Sequence, residues 1–149
     1  NTVAMMTAVY MQKRAILADT IGGVAMLVLV TAGVGNAVDI SGGRIPDTLH
    51  HPGTAGTINT MIFLDANLTD GALINAIMSA TEAKTKALAE LGITDPDTGS
   101  IATGTSTDSM VIGCTGHGPA LTYAGSGTAI GRGIGHIVFA ATQSALRAI

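Results

Sequence analysis

The sequence predicts an α/β or α+β fold, a single domain over residues 1–149 with a mixed sheet flanked by helices. Three observations carry that reading. A continuous β-rich apolar run over residues 24–31 sits between Gly22-Gly23 and Gly33, as a strand buried on both faces would. From residue 70 to 91, Leu73, Ile74, Ile77, Met78, Leu88 and Leu91 recur at helical spacing, which marks one face of a helix. Strand-like and helix-like segments alternate along the chain, and no repeat or low-complexity linker interrupts them.

Each element then has its own justification. Met6, Val9, Tyr10, Ile16 and Leu17 fall at helical spacing, so the latter part of residues 3–18 reads as a helix ending near Asp19. Gly33-Val34-Gly35-Asn36 forms a turn after the first strand. Residues 39–56 hold Gly42-Gly43, Pro46, Pro52 and Gly53 and read as an exposed loop, the part expected to move most. Residues 57–66 read as a second strand. Thr69 is a good N-cap for the helix that follows, and Gly92 closes it. Asp95-Pro96-Asp97-Thr98-Gly99 is a turn, after which residues 101–103 and 109–114 read as strands. Gly116-His117-Gly118-Pro119 is another turn, and residues 127–148 form a closing helix, rich in glycine in its first half.

Composition excludes several classes. Only 11% of residues are charged, against about 25% in an average soluble domain. The longest apolar run, residues 24–34, is broken by Thr31 and Gly33 and falls short of the roughly 20 residues of a spanning helix. A chain with so little charge is expected to bury surface against a second copy of itself, so a homo-oligomer without membrane contact is expected. A net charge of -3 with seven Lys+Arg and no basic cluster argues against nucleic acid. A single cysteine, Cys114, permits no intrachain disulfide and fits a reducing cytoplasm. The first residue is Asn1, already in apolar-patterned sequence, which suggests that an upstream segment is missing.

Two polar runs carry the chemistry. Gly56-Thr57-Ile58-Asn59-Thr60 precedes one strand, and Thr103-Gly104-Thr105-Ser106-Thr107-Asp108 precedes another. Glycine admits a ligand to the backbone, while hydroxyl, amide and carboxylate groups orient it, so the two runs suggest one shared site. A nucleophile, base and orienting group could be drawn from Ser106, Thr105 or Cys114, from His117 or His136, and from Asp108. The hydroxyls of the second run could equally cap backbone at a strand edge. Glu82 admits two readings: part of a solvated face with Lys86 and Glu90, or an inward general acid or base. Gly33-x-Gly35 lacks the third glycine of a dinucleotide fingerprint, and no P-loop occurs. Cys114-x-x-His117 has no second ligand pair, so no metal is expected. His136 reads as a core histidine on an apolar helix face.

The chain resembles the CbiZ family of adenosylcobinamide amidohydrolases. The resemblance rests on Met5-Met6-Thr7-Ala8, Val30-Thr31-Ala32-Gly33-Val34-Gly35-Asn36-Ala37, Gly56-Thr57-Ile58-Asn59, Leu68-Thr69-x-Gly71-Ala72-Leu73, Ala80-Thr81-Glu82-Ala83-Lys84-Thr85, Thr103-Gly104-Thr105-x-Thr107-Asp108 and Tyr123-Ala124-Gly125-Ser126. These blocks run in order through nearly the whole chain. The resemblance implies hydrolysis of the amide joining the aminopropanol arm to the corrin ring in corrinoid salvage, giving adenosylcobyric acid and aminopropanol. The corrinoid is then the substrate, and no cofactor is implied. Carried onto matching positions, it implies Glu82 or Asp108 as base and Lys84, Asn36 or Asn59 stabilising the oxyanion. Thr105 and Thr107 position the side chain, and Thr57 and Ser106 line the cleft. A corrinoid-binding module without hydrolytic activity is the alternative. Asp47, His50 and Gly53 nearly match the Asp-x-His-x-x-Gly pattern by which some corrinoid proteins ligate cobalt, with the aspartate one residue too far away; this reads as a loop coincidence.

Overall fold

The computed structural model of the chain describes residues 2–47 and 55–148. After a 3₁₀ turn (Met11–Lys13) come strands β1 (Ala15–Ile21), β2 (Val24–Gly33), β3 (Ala37–Val38), β4 (Thr57–Leu64) and β5 (Asn67–Leu68). Helix α1 (Asp70–Glu90), strands β6 (Gly104–Thr105), β7 (Ser109–Cys114) and β8 (Ala120–Leu121), and helix α2 (Ala129–Arg147) complete it. The main sheet has the order β1-β2-β4-β7. Its first two pairings are antiparallel, and β4 and β7 are parallel. A parallel pair needs a crossover, and α1 supplies it. The result is the expected mixed sheet with helices. Both helices lie on one face, α2 over β1 and β2, with α1 beside it.

The main departure from expectation is at the start. Residues 15–21 form a strand, not the end of a helix, because Gly22 and Gly23 adopt φ +61 and +81. Two consecutive positive-φ residues make the mirror-image turn that matches the twist of a hairpin. The turn sets the register Ala15↔Val30 through Ile21↔Val24. That long-range pairing outweighs the local helical spacing. Residues 101–103 also differ: Ile101 makes only an isolated bridge with Thr94. The pairing shifts to β6, which is antiparallel to β3. Of the expected loop, residues 39–47, 55 and 56 form no helix or strand, while residues 48–54, with His50 and Gly53, lie outside the described residues.

One core lies between sheet and helices. Met26, Val28, Val30 and Ala32 of β2 and Ile58, Ile62 and Leu64 of β4 meet Ala72, Ala76, Ala80 and Leu88 of α1 and Ile134, Val138 and Ala141 of α2. The opposite face of β2 is only partly covered: Leu27 is exposed, as are Ile16 and Phe63, whereas Thr31 is buried. The expectation that β2 is buried on both faces therefore holds only near its end. Thr69 accepts from the Ala72 N–H at 3.3 Å, and Gly92 closes α1 at φ +66, as expected. Thr128 caps α2 in the same way, accepting from the Gly131 N–H at 3.0 Å. Among the described residues no helix is long and apolar enough to cross a membrane.

Two side predictions follow from this packing. A Cβ on Gly131 would lie 2.1 Å from the Gly125 carbonyl oxygen and 2.4 Å from that of Ala124, both backbone atoms that cannot swing aside. Gly131→Ala is therefore expected to destabilise by about 1–3 kcal/mol, despite alanine's better helix propensity, read as a lower urea midpoint. Asp95 takes the backbone N–H groups of Asp39 (2.9 Å) and Asp97 (2.8 Å), and these bonds hold its carboxyl below the usual range. A carboxyl depressed in the folded state stabilises above its unfolded value and stops doing so as pH falls through the folded one. The stability lead of the wild type over Asp95→Asn should thus be full at about pH 6 and shrink below about pH 4.

Candidate active site

The site forms where β3, β6 and the starts of β4 and β7 converge on the middle of α1. Pairing of β3 with β6 sets Ala37 opposite Thr105, which brings Asn36 beside Ser106. Asn36 Nδ2 donates to Ser106 Oγ at 2.7 Å and to Thr107 Oγ1 at 3.4 Å. Thr57 Oγ1 donates to the Thr107 carbonyl at 2.8 Å, and the Thr107 hydroxyl donates to the Gly56 carbonyl. The two polar runs thus meet, as their composition suggested.

At the centre is a nearly buried ion pair. Lys84, on the buried side of α1, donates its ammonium to Asp108 Oδ2; the two side chains are 10% and 20% exposed. Asp108 Oδ1 also accepts from the Ile58 N–H at 3.1 Å and from the Thr105 hydroxyl. An ionised carboxylate offers about four acceptor positions. Three donors leave one direction for a water or a substrate donor. Gly104 makes the pair possible, since a Cβ there would lie 2.5 Å from Asp108 Oδ2 and 2.8 Å from Lys84 Nζ. Gly56 plays the same part for Asn36, whose Oδ1 occupies the space where a Cβ would sit.

The structure gathers Asn36, Thr57, Lys84, Thr105, Ser106, Thr107 and Asp108 into one cluster. It leaves out two expected members. Asn59 points to the outer face of the sheet, where its Nδ2 donates to the Met6 carbonyl at 2.7 Å and so tethers the first residues. Glu82 lies two residues from Lys84, and helix positions i and i+2 do not share a face. Its exposed carboxylate instead lines a groove of about 480 Å³ between α1 and α2, with Lys86, Glu90, Arg132, His136 and Phe139. Of the solvated face expected on α1, Lys86 and Glu90 pair at 2.7 Å while Glu82 does not join them. His136 is exposed in this groove and is not the core histidine that periodicity suggested.

At the far end of β4 and β7 lies a group that sequence reading did not assemble. Asp65 accepts from the Thr115 hydroxyl at 2.7 Å and meets His117 Nδ1 at 2.9 Å, and these two bonds lower its pKa. Nothing local in the sequence signals the contact, which spans the parallel pairing of β4 and β7. Burial raises the pKa of the neighbouring Cys114 thiol, which reduces its thiolate fraction and weakens it as a nucleophile. Among the described residues no three His, Cys, Asp or Glu side chains form a metal cluster.

Fold and site together define a class: a single α+β domain with a lysine–aspartate pair at the junction of two hydroxyl-rich loops. The family is specific. The chain belongs to the CbiZ family, described as adenosylcobinamide amidohydrolase, whose model matches residues 1–149. It is similar to an adenosylcobinamide amidohydrolase of Methanosarcina mazei, 30% identical over 97% of this chain and 66% of that protein. It is also similar to one of Halobacterium salinarum, 34% identical over 70% of this chain and 42% of that protein. An uncharacterized protein of Methanocaldococcus jannaschii is 43% identical over 56% of this chain and 32% of its own length. The chain thus spans less than two thirds of each of these relatives.

Proposed function

We propose that the chain is a hydrolase of corrinoid salvage that cleaves adenosylcobinamide to adenosylcobyric acid and aminopropanol. The observation that carries this reading is the Lys84–Asp108 pair, held at the junction of the two polar runs in a member of this family. Amide hydrolysis needs positive charge at the developing oxyanion, a proton acceptor for the attacking water and a proton for the departing amine. Lys84 supplies the charge. Asp108, through its remaining acceptor position, takes the proton as water adds to the carbonyl carbon, and returns it to the amine nitrogen as the C–N bond breaks. Thr105 orients Asp108, while Ser106, Thr107 and Thr57 form the polar wall that Asn36 braces. Asn59 serves the fold in this scheme. The low charge and the apolar outer sheet face support the expected homo-oligomer, and the single cysteine supports a cytoplasmic location.

The test is incubation with adenosylcobinamide, with cobyric acid followed by chromatography. Wild type is expected to form product, and Asp108→Asn to form it about 10²-fold more slowly or less. The dense bonding around Asp108 also suits a purely structural pair, which is what a corrinoid-binding module would contain. Saturable corrinoid binding without product would establish the module and end the hydrolase reading.

A further inference from the structure

The groove between α1 and α2 is distinct from the Lys84–Asp108 cluster, and α2 carries an unexplained cost there. Glycine inside a helix is about 1 kcal/mol worse than alanine. At Gly131 a Cβ would strike the 124–125 backbone, and at Gly133 it would strike Met26 and Ile21, so packing accounts for both. At Gly135 a Cβ would meet nothing within 4 Å. No neighbour among the described residues requires that glycine, and its effect is to keep the groove floor open.

Three of the groups around that floor are not spent on one another. Neither Glu82, Arg132 nor His136 has a side-chain hydrogen bond or ion pair with another described residue. They combine an acceptor-only carboxylate, a planar donor and an imidazole, with the Phe139 ring as an apolar wall and the Ser126 hydroxyl at the rim. Glu82 balances Arg132, and Glu90 pairs with Lys86, so the groove favours an uncharged ligand over a phosphate. A carboxylate suits the paired hydroxyls of a ribose, and an aromatic ring and a guanidinium suit the faces and edges of a purine. A cavity of about 480 Å³ lies in the range of small-molecule sites.

We infer that the groove between α1 and α2 binds a neutral purine nucleoside, with Glu82 on the ribose hydroxyls and Phe139, Arg132 and His136 around the base, and that Gly135 keeps the space for it. The identity of this nucleoside as the adenosyl group of the corrinoid rests on the proposed function. That substrate carries its nucleoside and its scissile amide on separate arms, and the groove and the ion pair lie on different sides of α1.

The test is calorimetric titration of free adenosine into the chain, with inorganic phosphate as a comparison. Saturable binding of adenosine is expected, and none of phosphate. Gly135→Leu fills the floor with a better helix former, so the fold should hold, checked by circular dichroism; it is expected to weaken adenosine about tenfold or more. Glu82→Gln is expected to weaken it about fivefold. No saturable adenosine binding by wild type, or binding unaltered in Gly135→Leu, overturns the inference. Hydrolysis of adenosylcobinamide is read separately: adenosine binding without product removes the activity proposal and leaves the nucleoside site standing.

Discussion

On the proposed function, Lys84→Met is expected to slow hydrolysis of adenosylcobinamide about 10²–10³-fold and to lower stability at the same time. Methionine keeps the length and apolar stem of lysine and removes only the charge. The loss leaves Asp108 with two donors in a largely buried position. Removing one partner of a buried pair costs about 3–5 kcal/mol, because the other charge is left without its counterion. Removing an oxyanion stabiliser costs about 10²–10³ in kcat. The double variant Lys84→Met with Asp108→Asn separates the two effects. It should recover much of the lost stability, since no uncompensated charge remains, and none of the activity. A double variant as active as wild type would show the pair to be structural alone. Urea titration and single-turnover product formation are the two measurements.

The second large effect is at Gly56. A Cβ there would lie 1.9 Å from Asn36 Oδ1 and 3.0 Å from the Asn36 backbone nitrogen, at φ +149. Gly56→Ala must therefore displace Asn36. Asn36 braces Ser106 and Thr107, and the Thr107 hydroxyl is bonded to the carbonyl of Gly56 itself, so the clash opens the polar wall. Overpacking costs about 1–3 kcal/mol and backbone strain about 1–3 more, so a fall in midpoint of that combined order is expected. KM for adenosylcobinamide should rise with it. Asn36→Gly in the same chain removes the clashing side chain and should restore stability in part without restoring KM. A Gly56→Ala protein with unchanged midpoint would show that the loop yields freely, and would remove this support for the wall.

Much of the candidate site was legible because its parts are local in sequence. Thr105, Ser106, Thr107 and Asp108 are consecutive, and a glycine beside each run announces close backbone approach. The two α1 residues were harder to assign. Glu82 and Lys84 stand in one short block, and only helix geometry shows that they serve opposite sides. The groove on α2 escaped notice because a run of helical glycines looks alike in sequence, whereas their neighbours separate Gly131 and Gly133 from Gly135. Asp65 and His117 are 52 residues apart, and only the parallel register of β4 and β7 joins them.

What this sequence determined by itself is whatever depends on neighbours a few residues away. It specified the helix capped at Thr69, the closing helix read over residues 127–148, the strand read over residues 57–66 and observed over 57–64, and the mixed single-domain fold. Tertiary structure decided the rest. It turned residues 15–21 into an edge strand, put both helices on one face of the sheet, and committed Asn59 to the Met6 carbonyl. It also paired Lys84 with Asp108 while sending Glu82 into the groove. The physical reason is common to these cases: the free energy that settles them comes from burial and pairing between segments far apart in the chain, and local propensity is too weak to compete with it.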